Sequence, residues 1–559
     1  MTPSDAGVPP VIARLEQQAT LFAPRLNRFA LLKLKASPPA EGPTLRVLRN
    51  HAFEGVASAL PAFLDHAGVP MRAALGDYDD SLTLPEGSAE AWLVWLDFTR
   101  YPRLADEALA DWAIGRLTAL RAATHGPLIV ANAPEPSLRY AALNARLADW
   151  AQATPGAAIL PLDGLARELG EAFFDEARSA ATGSRFSDAA AMATARTLAF
   201  ELLADAFAPP LKALAVDLDN TLYEGVLGED GAEGVRLGEG HAALQRAVAD
   251  WAGRGVLVAV VSRNEPADVL SLFETRTDFP LRPQHIAAWQ VGWGDKSAAV
   301  AAAAARFNIG ADAFLMIDDN VGELAEAAAR TPGLRLLYAG AEPAITANAL
   351  AAYPGLPRGG DFAGRAADLA ANAERQAMAR EAFDETAYLA ALKAELAFSL
   401  DPADDRARLA ELSRKTNQFN LALARLDEQA VNDYLARPDA CVVHIRLSDR
   451  LADSGSVAAL FARREGDGRL IVDELCVSCR ALGRKLEDLM VGEALRGAAR
   501  ALGARQVSLA YRVGPRNAPA LDWAAAFAGV SLSGESGVVR LPDDRLDTLP
   551  AQPVGVSWT

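Results

Sequence analysis

Ala213-Leu-Ala-Val-Asp217-Leu-Asp219-Asn-Thr221 is a short apolar run that ends in acid. An uninterrupted apolar tetrad of this kind reads as a buried parallel strand. Asp217 and Asp219 then stand one alternation apart at its C-terminal end. That spacing suits phosphorus chemistry: one carboxylate attacks as nucleophile, and its neighbour shuttles the proton of the leaving group. Two carboxylates facing a phosphate need a cation between them, so Mg2+ is the expected cofactor. The plainer alternative is a strand running into an Asx turn with solvated acids.

Three later pieces weigh against that alternative. Val256-Leu-Val-Ala-Val-Val261-Ser262-Arg-Asn264 is a second apolar strand, ending in a hydroxyl and an amide. Lys296, in Trp293-Gly-Asp-Lys296-Ser297, opens a helical stretch and is placed to neutralise a phosphorylated aspartate. Ala313-Phe-Leu-Met-Ile317-Asp318-Asp319-Asn320 is a third strand, ending in two more carboxylates. Strand ends gathered on one edge of a parallel sheet are where open α/β sheets bind ligands.

In this order the four pieces resemble the haloacid dehalogenase (HAD) phosphotransferase superfamily. The resemblance implies Asp217 as nucleophile, Asp219 as general acid and base, and Lys296 as a catalytic cation. It implies Thr221, Ser262, Arg263 and Asn264 as contacts to the substrate, with Asp217, Asp219, Asp318 and Asp319 about the metal. Only about 40 residues separate the first two motifs, too few for a large cap domain. An open site of that kind can take a substrate carried on a macromolecule.

The 559 residues suggest about three or four domains. With 51% hydrophobic and 23% charged residues, the chain can bury several cores. A net charge of −17 argues against nucleic acid or an anionic membrane as partner. The N-terminus lacks a signal-peptide pattern, and no apolar run reaches the length of a membrane span. The three cysteines all follow residue 440 and form no disulfide framework, so a cytoplasmic setting is expected.

Residues 1–209 are expected to form a first α/β domain. Leu45-Arg-Val-Leu48, Ala91–Leu96, Leu128–Ala131 and Ala158–Asp163 read as strands with helices between them. Their order resembles SGNH-hydrolase-like domains. No serine stands near Asn50-His51, however, and Phe174–Arg178 holds no Asp-x-x-His pair, so a serine-hydrolase reading fails on its residues. His51 and Asn132 read as loop residues of a docking or binding domain. Residues 210–355 are expected to form the HAD-like domain, with a loop at 353–360. Residues 356–397 are read as a helical linker, with helices over 363–397.

Residues 398–559 alternate again. Ala440–Leu447, Val457–Phe461 and Leu470–Leu475 read as strands, and Leu489–Leu502 as a helix. Between them runs Cys476-Val-Ser-Cys479-Arg480-Ala-Leu-Gly483-Arg484-Lys485. Strand, glycine loop and helix start make an anion-binding arrangement in which free N–H groups cradle a phosphate. This resembles the acyl-CoA loop of GNAT-type acyltransferases, with Lys485 standing where that family prefers a small residue. A plain strand-to-helix turn with a basic rim is the alternative.

Taken together, the last 350 residues or so resemble the FkbH family, a HAD-like domain fused to a GNAT-like domain. The stretches that carry this are Asp217–Gly231, Ile317–Asn320, Thr416-Asn417-Gln-Phe-Asn420-Leu421, Asp449-Arg450 with Asp453 and Gly455, and Ser478–Arg484. Tyr223 replaces the family's usual tryptophan. The resulting fold class is α/β and multidomain: an SGNH-like doubly wound domain, a capless HAD-like parallel-sheet domain and a GNAT-like α/β domain.

The resemblance implies loading of a three-carbon unit from 1,3-bisphosphoglycerate onto the thiol of an acyl-carrier protein, with removal of phosphate. It implies Cys479 as an acyl carrier, and Asn417, Asn420, Arg480, Gly483 and Arg484 as contacts to substrate or to the phosphopantetheine arm. Other readings of the same residues stay open. Cys476 and Cys479 can be core filler, His444 can be structural, and Asn417 and Asn420 can serve a turn. The whole chain can be a plain phosphatase with a binding domain, or a carrier-docking scaffold.

Overall fold

The computed structural model describes residues 10–559 apart from 35, 37–38, 40, 80, 83–88, 178, 180–182, 358–370, 372–373, 376–377, 379–381, 467, 515 and 550–551. The chain divides into two compact units, Met1–Phe362 and Ala363–Thr559. It is an α/β protein throughout. No described helix is long and apolar enough to cross a membrane.

The first unit holds two five-stranded sheets, each wholly parallel. One comprises β1 (Thr44–Arg49), β2 (Arg72–Tyr78), β3 (Ala91–Trp95), β4 (Leu128–Ala131) and β5 (Ala157–Leu160), in the order β2-β1-β3-β4-β5. Alternate residues of its strands feed opposite cores. Leu45, Val47, Leu93 and Trp95 join one cluster, while Leu48, Trp92 and Val94 join the other. A sheet covered on both faces explains why β3 and β4 are apolar and buried at every position.

The second sheet comprises β6 (Ala213–Val216), β7 (Leu257–Ser262), β8 (Ala288–Val291), β9 (Phe314–Asp318) and β10 (Arg335–Tyr338), in the order β10-β9-β6-β7-β8. Between β6 and β7 lie the helices Leu227–Gly234 and Glu239–Gly253. The turn at Gly225 needs glycine, because its φ is +115° and a Cβ there would sit 2.7 Å from Asp230 Oδ2. The helix Pro10–Leu21 guards the β10 edge. Gln18 donates to the Leu336 carbonyl at 2.8 Å and accepts from the Tyr338 N–H at 2.9 Å, pairing groups that an edge strand otherwise leaves open.

The second unit is built on a mixed seven-stranded sheet. Its strands are β11 (Glu395–Leu400), β12 (Ala440–Ser448), β13 (Asp453–Arg464), β14 (Arg469–Val477), β15 (Gln506–Arg512), β16 (Ser536–Arg540) and β17 (Gly555–Trp558), in the order β16-β15-β14-β13-β12-β11-β17. Only β11/β17 and β14/β15 pair in parallel. The central β11 to β14 form an antiparallel run where an α/β alternation is expected.

Several strand boundaries depart from the sequence reading. Pro161 ends β5, so Leu162 and Asp163 belong to the helix Leu162–Leu169. β11 begins at Glu395, inside the stretch expected to be helical, and its burial alternates along the strand. Glu385–Leu392 is helical. The loop expected at 353–360 and the helices expected over 363–397 lie partly outside the described residues.

Candidate active site

β6 and β9 are neighbours in the second sheet, where the strand order reverses direction. Their C-terminal ends carry Asp217 and Asp318, so the sheet places its acids at the switch point of the topology. The Asp217 N–H donates to the Ile317 carbonyl at 3.0 Å, which continues the ladder up to the acid. The helix Lys296–Phe307 starts above this edge. Val300, Ala303, Ala304 and Phe307 form its buried face, and Asn308 stops it in the left-handed conformation at φ 52°.

Lys296 is buried between two acids. Its Nζ lies 3.0 Å from Asp217 Oδ1 and 2.6 Å from Asp318 Oδ2. Burial alone would lower its ammonium, but the two carboxylates outweigh that and hold it above the usual lysine range. Burial pushes Asp217 up, against the pull of Lys296 and of a hydrogen bond from the Ser262 hydroxyl. Burial, and then the Asp217 charge, raise Asp318 to about 7. Asp319 shifts upward for the same two reasons. Its N–H donates to Thr221 Oγ1 at 3.1 Å, and Asp318 Oδ1 accepts from the Asn320 N–H at 2.9 Å.

Oxygens of Asp217, Asp318 and Asp319 all lie within 4.8 Å of one another. Three crowded carboxylates with raised protonation are under-compensated by a single ammonium. Hard oxygen donors in that number fit Mg2+. Asp219, expected in the metal set, is turned elsewhere. Its Oδ1 accepts from the Tyr223 hydroxyl at 2.7 Å and the Leu227 N–H at 3.0 Å, and its Oδ2 from Asn264 Nδ2 at 3.0 Å. Its carboxylate is therefore fixed by donors beside Asp217, and the acid cluster that could hold a metal ion comprises the other three. Asn264 also donates to Ser262 Oγ at 3.2 Å, so it serves the acid as well as the strand end.

Tyr223, noted in the sequence only as a departure from the resemblance, was not expected in the site. It is fully buried, and burial followed by the Asp219 hydrogen bond drives its phenol far above the usual range, so it remains a donor. Its place four residues after Asp219 and its departure from the expected tryptophan were the available signals. Arg263 departs from expectation. Its guanidinium pairs with Glu323 at 2.7 Å and reaches the Gly294 carbonyl at 3.3 Å, so it ties loops together.

The second-unit candidates form a different kind of site. β14 pairs with β15 only from Arg469 to Val472, and beyond that point the two strands part. The chain fills the gap with its own backbone. Leu421 N–H donates to the Leu475 carbonyl (3.0 Å), Val477 N–H to Phe419 (2.8 Å) and Arg512 N–H to Leu421 (2.9 Å). Asn420 is fully buried inside this splice. Its Nδ2 donates to Glu474 Oε1 at 2.7 Å and to the Ser413 carbonyl at 3.0 Å, and its Oδ1 accepts from Leu423 N–H at 2.7 Å. Asn420 thus holds a turn and does not face a ligand. Asn417, half-buried, accepts from Arg425 at 2.8 Å.

Arg484 corrects the basic-loop expectation. It is 2% exposed and pairs with Asp449 Oδ2 at 2.9 Å and Ser454 Oγ at 2.7 Å, so it is a structural cation. Arg480 is half-buried and Lys485 exposed. The Gly483 N–H is not free, because it donates to Glu487 Oε1 at 2.7 Å in the first turn of the helix Glu487–Ala501. Cys476 is sealed in the core, where burial raises its thiol well above the usual range. Cys479 is half-buried and not in a disulfide. His444 is buried, with Nδ1 2.9 Å from Asp405 Oδ2.

No family model matches the chain, and no curated protein matches it. Among solved structures, it is similar to the N-terminal part of the protein BF1531 from Bacteroides fragilis, containing a phosphatase domain complexed with Mg. The identity is 21% and the TM-score 0.47, over 56% of this chain and 93% of that chain. It is also similar to an acetyltransferase of the GNAT family from Streptococcus pneumoniae, at 15% identity and a TM-score of 0.20, over 26% of this chain and 96% of that one. Likenesses this distant do not bear on the chemistry, which rests on the residues of the site.

Proposed function

We propose that the chain is a Mg2+-dependent phosphoryl-transfer enzyme of the HAD type joined to an acyl-transfer unit. Lys296 set between Asp217 and Asp318, with Asp219 held beside them by Tyr223 and Asn264, is the observation that supports it. An Asp217 oxygen attacks phosphorus, the bond to the leaving oxygen breaks, and Asp219 protonates that oxygen. Asp219 then takes a proton from water, which attacks the phosphoaspartate and releases inorganic phosphate. Bound at Asp217, Asp318 and Asp319, Mg2+ would offset the charge between carboxylates and phosphate.

In the fuller reading the donor is 1,3-bisphosphoglycerate and the acceptor the thiol of an acyl-carrier protein. The Cys479 thiolate attacks the acyl carbon, the bond to phosphate breaks, and the carrier thiol then displaces Cys479 from the thioester. The FkbH-like stretches and the half-buried, unbridged thiol support this. A second reading, a phosphatase whose other unit only binds, is favoured by one observation: the gap between β14 and β15 is filled by Phe419–Leu421.

The deciding experiment measures Mg2+-dependent phosphate release from 1,3-bisphosphoglycerate and from a phosphomonoester. Asp217→Asn keeps the volume and removes the nucleophile, so turnover should fall by about a thousandfold or more. Wild-type turnover in the folded variant would reject the assignment. Intact-mass analysis without carrier then separates the two readings. An adduct on Cys479, lost in Cys479→Ala while phosphate release persists, supports acyl transfer, and its absence supports the plain phosphatase.

A further inference from the structure

The first sheet ends in a cavity that the phosphoryl chemistry does not use. Its order, β2-β1-β3-β4-β5, reverses between β1 and β3. His51 follows β1, Asp97 follows β3, Glu135 follows β4 and Leu162 follows β5, and all four line one cavity of about 210 Å³. A water molecule occupies about 30 Å³ of liquid, so the space suits a molecule of very few carbons. We propose that this cavity is a second ligand site, and that it takes a small zwitterion of free-amino-acid size.

His51 is 8% exposed. Its ring stacks on Trp95 at 5.1 Å and meets the edge of Phe186 at 5.9 Å. The charged groups acting on it are Asp97, Arg100, Arg49 and Arg185. Burial holds the imidazole down at about 4, so it meets a ligand as a neutral donor and acceptor.

Charges of both signs line the same space, and both signs have binding capacity left. Arg185 donates from Nη1 to Glu135 Oε1 at 3.0 Å and lies over the Phe174 ring, while its Nε is 3.6 Å from Glu176. Arg100 is half-exposed, with Nε 3.5 Å from Asp97 Oδ2. A guanidinium carries five N–H donors, so each arginine can still take a carboxylate. On the acidic side, Asp97 Oδ1 accepts from the Thr99 N–H and hydroxyl, which leaves Oδ2 toward Arg100. Burial raises Glu135 although Arg185 pairs with it.

Two guanidiniums, two carboxylates and a neutral imidazole add to no net charge. A simple anion would meet both acids, and a simple cation both arginines. A molecule carrying one carboxylate and one ammonium satisfies both sets at once, with Leu96, Phe98 and Leu162 facing its apolar part.

The test uses the full-length chain, calorimetry and thermal shift, with a panel of free L-amino acids at up to about 10 mM. Propionate, propylamine and glycerol serve as single-charge and neutral controls. We expect at least one amino acid to bind saturably while the controls do not. Arg100→Met and Glu135→Gln should each weaken it about tenfold or more, with phosphate release unchanged. Arg100 is half-exposed, so its loss leaves the core intact. The proposal is overturned if no amino acid binds, if a control binds as tightly, or if both variants bind like the parent.

Discussion

Asp219 keeps its position through Tyr223, and that one hydrogen bond can be removed cleanly. Tyr223→Phe deletes the 2.7 Å contact while the ring and its stacking on Phe279 remain. Leu227 and Asn264 still hold the carboxylate, so the acid should be loosened but not lost. We expect kcat for phosphate release to fall about tenfold with KM little changed. An unchanged kcat would mean that Tyr223 only fills space. His51 supplies a second residue-scale prediction, through stability. Its folded value of about 4 lies below the 6.5 of an exposed histidine. The stability of the neutral form is complete above pH 6.5 and lost as pH falls toward 4, because the unfolded chain then binds the proton first. Asp97 opposes this shift, while Arg100, Arg49 and Arg185 reinforce it. Urea unfolding followed by tryptophan fluorescence should show about 3 kcal/mol less stability near pH 4 than at pH 7 from this group. His51→Phe should flatten that part of the slope.

Among the elements, the turn after β14 is set by a buried ion cluster. Asp449 receives Arg375 at 2.8 Å and Arg484 at 2.9 Å, together with the Leu451 and Ala452 N–H groups. Breaking a buried pair from one side leaves an uncompensated charge. Arg484→Met should therefore lower the stability of the second unit by about 3 kcal/mol, read as a shifted denaturation midpoint. Lys485 is exposed, at φ 63°, and under the proposed carrier reading it is the loop cation that meets the carrier. Any salt-dependent carrier affinity should fall in Lys485→Ala. A stable Arg484→Met protein with selectively weakened carrier binding would reverse these two roles.

At the scale of the whole molecule, the two units have separate cores. Clusters about β1, β3 and β6 lie in the first, and those about β12 to β14 in the second. Every residue placed about the phosphoryl site belongs to the first unit. Residues 1–362 expressed alone should therefore keep Mg2+-dependent phosphate release, and residues 363–559 should unfold cooperatively by themselves. Loss of phosphate release in the shorter chain, despite a folded circular dichroism spectrum, would show that the second unit supplies part of the site.

The strands that hold the phosphoryl site were legible because they are local. An apolar run ending in acid, as at Val216-Asp217 or Ile317-Asp318, reports burial and chemistry within a few residues. The short strands Arg72–Tyr78, Ala288–Val291 and Arg335–Tyr338 escaped notice, since half-exposed edges carry little periodicity. Chain order also named the acids, but not their partners. That Asp219 turns to Tyr223 while Asp217, Asp318 and Asp319 converge depends on where separate strands end in space. Arg484 read as a ligand contact from its place in the glycine loop, and it is buried because Asp449, just after β12, and Ser454 of β13 reach it. Likewise, His51 read as a loop residue until β3, β4 and β5 brought Asp97, Glu135 and Leu162 around it. Sequence by itself determined the apolar strands β6, β7 and β9 and the polar residues at their tips, because strand patterning and side-chain chemistry are local properties. Which tips meet, and which charges are withdrawn from water, was decided only by the tertiary structure, because both depend on distances between residues far apart in the chain.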